Sequence, residues 1–237
     1  MMVPKIEGVI ERRILINYSI DENVVQNILP KPFKPKLVEG RGVAGICLIK
    51  LSKIRPTCMP KLFGFKSENG AHRIAVRWTY NGIEREGVYI PRRDTSSRIN
   101  SLAGGFIFPG IHHLSNFKTD ENNGKFLIEL ENNDGTYLRI NASKSQNWNE
   151  KSIFKNAIEA SEFLRKGSIG YSPFSKGFHG LKLNIKNWQT SPLDVESIES
   201  SYFDDKNIFP LGSTIFDNAL LMENIQHEWL GLNNINT

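Results

Sequence analysis

The densest cluster of chemically capable side chains is the segment 92–98, RRDTSSR. It joins the end of a predicted strand to the start of a predicted helix, where binding loops are often built. Arg92, Arg93 and Arg98 each offer a fork of N–H donors that matches a carboxylate or a phosphate. The segment therefore predicts an anion site formed by these arginines and Asp94. The alternative, in which Asp94 pairs with one arginine and water solvates the others, has equal weight.

Two adjacent histidines and one glutamate could move protons. His112 or His113 could carry a proton near neutral pH. Neighbouring residues on a strand point to opposite faces, so the two histidines cannot easily share a metal ion, and no metal site is predicted. An ordinary pocket or surface histidine is the simpler interpretation of each. Glu68 precedes the most regular strand of the chain and, taken alone, is interpreted as a solvated turn residue.

The sequence lacks the short motifs of several large enzyme classes. It has no Gly-x-x-x-x-Gly-Lys-Ser/Thr phosphate loop, no His-Glu-x-x-His zinc helix and no Gly-x-Ser-x-Gly nucleophile turn. Cys47 and Cys58 provide neither a disulfide framework nor a repeated metal-ligand spacing. We therefore expect no cofactor and no bound metal.

Charge and hydropathy favour a protein that binds neither nucleic acid nor a membrane. The net charge is +5, but no basic run reaches five residues. A pI near 9.1 leaves nucleic-acid binding as a third, weaker hypothesis, since such binding usually needs a basic stripe with interleaved aromatics. The most apolar stretch, 102–111, is too short to span a bilayer, and no signal peptide is evident at the start. We expect a cytoplasmic location. The oligomeric state is left open, with a homo-oligomer as one alternative.

Apolar periodicity predicts roughly nine strands. The segment 71–80 alternates most regularly, and Asn81-Gly82 is a favoured two-residue hairpin turn. The return strand 83–90 is expected to stop pairing at Pro91. Further strands are predicted at 8–20, 43–54, 125–131, 136–142, 181–188, 195–203 and 216–229.

Two to three short helices complete the predicted elements, at 21–29, 96–102 and 149–166. Asp21 is expected to cap the first helix, and Asp94 or Thr95 the second. The fold class is therefore mainly β (α+β), with an antiparallel sheet that curves strongly or closes like a barrel and so protects its strand edges. Nothing marks a domain boundary, so residues 1–237 are predicted to form a single domain.

Four groups of residues, in order along nearly the whole chain, resemble a known family. They are Asn17-Tyr18 with Ile28-Leu29-Pro30, Glu68-Asn69 with Gly87-Val88-Tyr89-Ile90-Pro91, Gly170-Tyr171-Ser172 with Gly180-Leu181, and residues 216–222 with His227-Glu228-Trp229. On these residues the chain resembles the YqjF-like family of unknown function, within the acetoacetate decarboxylase-like superfamily. The resemblance implies a conical or barrel-like sheet around a small-molecule cavity.

The same resemblance implies which chemistry is lost. In acetoacetate decarboxylases a glutamate follows an asparagine just before a central strand. Glu68 is the match to that glutamate, although here Asn69 follows it instead of preceding it. Those enzymes also carry a Gly-Phe-Pro-Lys-Lys stretch whose lysine forms a Schiff base. Here Phe108-Pro109 is kept, but Gly110 and Ile111 stand where the two lysines belong. Because the Schiff base needs an amine nucleophile, we do not expect acetoacetate decarboxylase activity.

Two functions fit these expectations. In the first, the protein holds an anionic, carboxylate-type small molecule and is an enzyme of unassigned reaction, with the following candidate residues. Glu68, His112 and His113 are the catalytic candidates, and Arg92, Arg93, Asp94, Arg98 and Phe108 are the ligand-binding candidates. In the second, the protein is a non-catalytic carrier or sensor that binds its ligand without turnover.

Overall fold

The computed structural model describes residues 5–60, 62, 64–102, 110–174 and 177–235. Within these residues the chain forms fourteen strands and three short helices. The strands are β1 (Ile6–Asp21), β2 (Lys34–Pro35), β3 (Leu37–Val38), β4 (Arg41–Pro56), β5 (Phe65–Tyr80), β6 (Ile83–Thr95), β7 (His112–Leu114), β8 (Asn116–Asn122), β9 (Lys125–Glu131), β10 (Tyr137–Lys144), β11 (Ile169–Phe174), β12 (Gly177–Ile185), β13 (Ser191–Ser200) and β14 (Thr214–Ile235). The helices are α1 (Glu22–Ile28), α2 (Arg98–Leu102) and α3 (Ala157–Lys166). None of the described helices is long and apolar enough to cross a membrane.

Seven strands of the sheet close into a ring. Their order is β1-β4-β5-β6-β11-β12-β14, and β14 pairs back onto β1. The pairings within the ring are antiparallel except for the parallel contact of β6 with β11. Closure leaves these seven strands without a free edge. The predicted mainly β fold, with a strongly curved sheet and two to three short helices, is confirmed.

Four further strands form an arm that packs on the outer face of the ring. The arm continues from β14 in the order β13-β10-β9-β8. Side chains alternate between the faces of a strand, so neighbours such as Ile14 and Leu15 belong to different hydrophobic clusters. Ile14 packs outward with Ile128 and Leu130 of the arm, whereas Leu15 packs inward with Leu164 of α3.

The β5–β6 hairpin has the predicted turn but a longer return strand. Asn81 and Gly82 have φ values of 51° and 73°, as this turn requires. Pairing does not stop at Pro91, as predicted, but continues to Thr95. The register shifts between His72 and Ile74, and Pro91 falls within the resulting bulge, where a missing N–H is tolerated. Beyond the bulge, residues 92–95 remain paired with β5.

The helices are shorter than predicted. Asp21 precedes α1 but makes no capping hydrogen bond with its side chain, because its carboxylate pairs with Arg41. α2 begins at Arg98 instead of residue 96. α3 begins at Ala157 instead of residue 149, since Asp217 accepts hydrogen bonds from the Ser152 hydroxyl and the Ile153 N–H and so holds residues 149–156 in turns.

Candidate functional site

A cavity of about 90 Å³ lies inside the ring, because every ring strand contributes to its lining. We call it the arginine cavity. Its lining includes Arg13 and Leu15 of β1, Cys47 and Ile49 of β4, Ala71 and Arg73 of β5, Val88, Ile90 and Arg93 of β6, Gly170 of β11, Leu181 and Leu183 of β12, and Trp229 of β14. Phe163 and Leu164 of α3 also contribute to the lining. An adjoining space of about 50 Å³ shares Cys47, Arg93 and Trp229 with it.

Strand pairing places a thiol and a guanidinium side by side. Cys47 pairs with Ala71, and Ala71 pairs with Arg93, so the three residues lie in one row across β4, β5 and β6. The small side chain of Ala71 leaves the space between the other two open. Arg13 approaches from β1, where its Nε donates a hydrogen bond to Cys47 Sγ at 3.0 Å.

Arg73 reaches across β4 to Asn17 on β1. Gly45 pairs with both residues and, having no side chain, leaves the path between them free. A Cβ at Gly45 would lie 1.9 Å from the carbonyl oxygen of Ile16. The Arg73 Nη2 donates to Asn17 Oδ1 at 2.5 Å, and Asn17 Nδ2 donates in turn to Asn218 Oδ1 at 2.7 Å. A chain of amides, not a carboxylate, therefore holds this buried guanidinium.

Arg93 is held by Ser172 of β11, whose Oγ accepts a hydrogen bond from Arg93 Nε at 2.9 Å. Gly110 lies against this pair with φ of +87°, and a Cβ there would come within 2.6 Å of Ser172 Cβ. The first position where the family resemblance expects a lysine therefore lies beside Arg93, but its backbone suits glycine. The second, Ile111, is 66% exposed. The candidate Phe108 lies outside the described residues.

The positive charges of the cavity are not balanced by carboxylates. Among the described residues, no Asp or Glu lines the arginine cavity, and none lies within 4 Å of the guanidinium of Arg13, Arg73 or Arg93. Burial lowers the pKa of Arg73 and of Arg93 to about 10. Both therefore stay protonated at neutral pH. A buried charge without a counter-ion costs several kcal/mol, roughly, in free energy of folding.

The segment 92–98 divides between the two faces of the sheet. Arg93 faces the cavity, whereas Arg92 pairs on the outer face with Asp94, at 2.8 Å, and with Asp134 of the arm, at 2.7 Å. The fully buried Asp94 carboxylate also accepts a hydrogen bond from Ser115. Asp94 borders the adjoining space, but its carboxylate is occupied by these outer partners. Arg98 lies exposed on α2.

The two candidate histidines also separate. In the parallel pairing of β6 and β7, His112 lies opposite Arg93 and His113 opposite Asp94. His112 lines the space that adjoins the arginine cavity. Because paired residues share a face, His113 lies on the outer side. The structure therefore brings His112 and Arg93 together.

Glu68 faces away from the cavity, toward the arm. Its Oε2 accepts a hydrogen bond from Arg12 Nη2 at 2.7 Å, and Arg12 also pairs with Glu121 of β8 at 3.2 Å. Burial raises the pKa of Glu68, although the neighbouring Arg12 opposes the increase. The Glu68 carboxylate is thus part of an ion-pair network on the outer face and is not grouped with Arg93 and His112.

Sequence reasoning missed three residues of the cavity, which are Arg13, Cys47 and Arg73. Arg13 and Arg73 each directly precede an apolar run within a predicted strand, residues 14–16 and 74–76. An arginine at an inward position of a buried strand is costly unless it has a partner. This cost is the signal that could have drawn attention to them.

A larger open groove of about 880 Å³ runs over the surface near Glu7 and Arg55. Its charges are of both signs, and both of its carboxylates are already paired, Glu7 with Arg55 and Glu228 with Lys5. The arginine cavity, with charge of one sign, is therefore the stronger candidate for a ligand site.

Comparisons with known proteins identify the family. A family model described as "Uncharacterized conserved protein (COG2071)", DUF2071, matches residues 9–218, and the chain belongs to this family. Among curated proteins, none matches the chain.

Solved structures with the same fold are acetoacetate decarboxylase-like proteins. Acetoacetate decarboxylase from Legionella pneumophila superposes with a TM-score of 0.60 at 13% identity, covering 98% of this chain and 88% of that one. An acetoacetate decarboxylase-like enzyme from Sphingomonas wittichii RW1 gives 0.60 at 9% identity, covering 99% and 93%. The enduracididine biosynthesis enzyme MppR, complexed with pyruvate, gives 0.57 at 8% identity, covering 98% and 90%. The predicted membership of an uncharacterised family with this fold is confirmed.

Proposed function

We propose that the protein binds a small anionic ligand of the carboxylate type in the arginine cavity. The observation that carries the proposal is the set of three guanidiniums, from Arg13, Arg73 and Arg93, that converge on one cavity without a carboxylate among the described lining residues. A bound carboxylate would supply the missing negative charge. It would also accept charge-assisted hydrogen bonds, which are the stronger class in proteins.

The size and lining of the cavity favour a short-chain acid. A volume of about 90 Å³ is smaller than the engineered cavity of ~150 Å³ that accommodates benzene, so the ligand is no larger than benzene and has on the order of four to six non-hydrogen atoms. Val88, Ile90 and Leu181 offer an apolar surface to the rest of the molecule. The pyruvate complex of MppR supports a ligand of this class, because pyruvate is a carboxylate of this size.

Paired ligands that differ in charge test the proposal. We expect acetate and pyruvate to raise the unfolding temperature of the protein, and the neutral isosteres acetamide and methyl pyruvate to have little effect. Arg93→Met should weaken acetate binding by about tenfold or more in calorimetry, the range expected for a lost hydrogen bond to a charged group. Arg98→Met, which removes an exposed arginine, is the matched control.

Two results would refute this assignment. One is equal stabilisation by the acids and their neutral isosteres, and the other is acetate affinity that Arg93→Met leaves intact. Incubation with 2-oxo and 3-oxo acids, followed by NMR, then separates an enzyme from a carrier. Consumption of a bound acid beyond one equivalent excludes the carrier.

A further inference from the structure

The sulfur of Cys47 lies among the groups that we propose as the anion site. It accepts a hydrogen bond from Arg13 Nε at 3.0 Å and lies in one cross-strand row with Ala71 and Arg93. Reactive cysteines lie in electropositive surroundings that a small molecule can reach, whereas structural cysteines packed in apolar surroundings are inert. Cys47 is 3% exposed, but it lines the arginine cavity.

A separate observation indicates that a ligand belongs beside this thiol. Arg73 is 5% exposed and lines the same cavity, and its Nε is buried with no hydrogen-bond partner among the described residues. Leaving a buried charged donor unsatisfied costs about 1–3 kcal/mol or more. An acceptor atom in the cavity would remove this cost.

We propose that Cys47 is a nucleophile that adds reversibly to the carbonyl carbon of a short 2-oxo acid whose carboxylate is held by Arg13, Arg73 and Arg93. The proposal rests on the anion site of the proposed function and adds the reacting group and the ligand subclass. Fixing the carboxylate beside the sulfur holds the neighbouring carbonyl carbon close to it, which raises the effective concentration of the two reactants.

The addition balances without another reactant. A bond forms between the sulfur and the carbonyl carbon, and the π pair of the carbonyl moves to its oxygen. That oxygen takes up the proton that the thiol loses, which gives a hemithioketal. The adduct would be a covalent intermediate that does not need the amine absent from residues 110–111.

Charge-selective alkylation of the full-length protein tests the nucleophile. Iodoacetate carries a carboxylate next to its electrophilic carbon, and iodoacetamide is its neutral isostere. Cys58 is exposed and serves as the reference thiol in the same molecule. Peptide mass spectrometry measures the labelling of each cysteine by the two reagents. We expect the ratio of iodoacetate to iodoacetamide labelling to be about tenfold or more higher at Cys47 than at Cys58. Acetate should suppress the Cys47 labelling.

NMR with carbonyl-labelled glyoxylate, the most electrophilic of the short 2-oxo acids, detects the adduct directly. Because glyoxylate exists in water mainly as its tetrahedral hydrate and also adds to exposed thiols, the comparison is made in Cys58→Ser. In that variant we expect a new resonance of the labelled carbon, distinct from the hydrate signal, which is absent when Cys47→Ala is added. Circular dichroism checks that Cys47→Ala is folded, and the alkylation experiment needs no variant.

The outcomes separate the two proposals. Wild-type protein that binds acetate but shows neither selective alkylation nor a glyoxylate adduct overturns the nucleophile and leaves the anion site standing. Protein that binds no acid and labels Cys47 without charge preference overturns both.

Discussion

Asn17 on β1 and Arg73 on β5 are joined by a hydrogen bond that passes over Gly45 of the strand between them. Asn17 is fully buried, and its amide also donates to Asn218. One asparagine thus orients a guanidinium of the cavity and ties together three strands of the ring.

Replacing Asn17 should destabilise the protein strongly. Asn17→Leu leaves the Arg73 Nη2 and the Asn218 carbonyl oxygen buried without their partner, and each orphaned group costs about 1–3 kcal/mol. We expect urea unfolding to show a loss of about 2–6 kcal/mol, the sum for the two groups. Asn187→Leu, at an exposed position, is the control. Equal losses in the two variants would contradict the role of Asn17.

Replacement by methionine should affect stability differently at Arg12 and at Arg93. Arg12 is paired with Glu68 and Glu121, and Glu121 keeps Lys50 as a second partner. Arg12→Met therefore leaves the largely buried Glu68 carboxylate without its partner and should cost about 3 kcal/mol. Arg93 has no carboxylate partner among the described residues, so in anion-free buffer Arg93→Met should not lower the free energy of unfolding. Urea titrations of both variants check this contrast, which fails if Arg93→Met is as damaging as Arg12→Met.

Glu68 and Arg98 should be dispensable for ligand affinity. Glu68 lies on the outer face of the sheet, and Arg98 is exposed on α2, so neither contacts the arginine cavity. Glu68→Gln combined with Arg98→Gln is expected to leave the acetate dissociation constant within about twofold of the wild-type value, the scatter usual for surface changes. Calorimetry on the folded double variant measures this dissociation constant. A tenfold weaker acetate affinity would show that Glu68 or Arg98 contributes to the binding site.

Acid should destabilise the protein through two buried histidines. Burial lowers the pKa of His72 and of His227 to about 4, whereas a histidine in an unfolded chain titrates near 6.5. The unfolded state therefore binds more protons between these values, so stability is complete above about pH 6.5 and falls as the pH decreases toward 4. Each histidine should remove about 1–2 kcal/mol between about pH 7.5 and pH 5.

Urea unfolding at these two pH values measures the effect. His72→Gln should show a smaller acid-induced loss than the wild type, and the double variant with His227→Gln a smaller loss again. If the pH dependence of the free energy of unfolding is unchanged in the double variant, groups other than these two histidines cause the acid-induced loss.

Restoring a lysine at residue 110 should not restore decarboxylase chemistry. Gly110 has φ of +87° and faces Ser172 at a distance that excludes a Cβ. Gly110→Lys is expected to form no borohydride-trapped adduct with acetoacetate, as followed by mass spectrometry.

The matched pair Gly110→Ala and Gly135→Ala separates backbone strain from crowding. Gly135 has a similar φ of +89° but nothing within 4 Å of a Cβ. Each substitution should cost about 1–2 kcal/mol for the backbone, and Gly110→Ala about 1–3 kcal/mol more for the clash. Equal losses would mean that Ser172 moves aside freely.

The sequence by itself determined most of the strands, the Asn81-Gly82 hairpin and the family. These features depend on local alternation, turn residues and the order of motifs. It also shows that no lysine stands at 110–111, whereas the anion site that it predicts within residues 92–98 stays a prediction. The start of α3 was misplaced because Asp217, distant in sequence, accepts hydrogen bonds from the Ser152 hydroxyl and the Ile153 N–H.

Only the tertiary structure decided which charged residues meet. Alternation along β6 shows that Arg92 and Arg93 point to opposite faces, but ring closure and the bulge at Pro91 decide that Arg93 faces inward. Ring closure also brings Arg13 of β1 to Cys47 of β4, and Gly45 lets Arg73 reach Asn17. Glu68 is excluded from the cavity for the same reason, since its strand position points to the arm. Long-range strand pairing fixes these contacts, and periodicity within one segment carries no information about it.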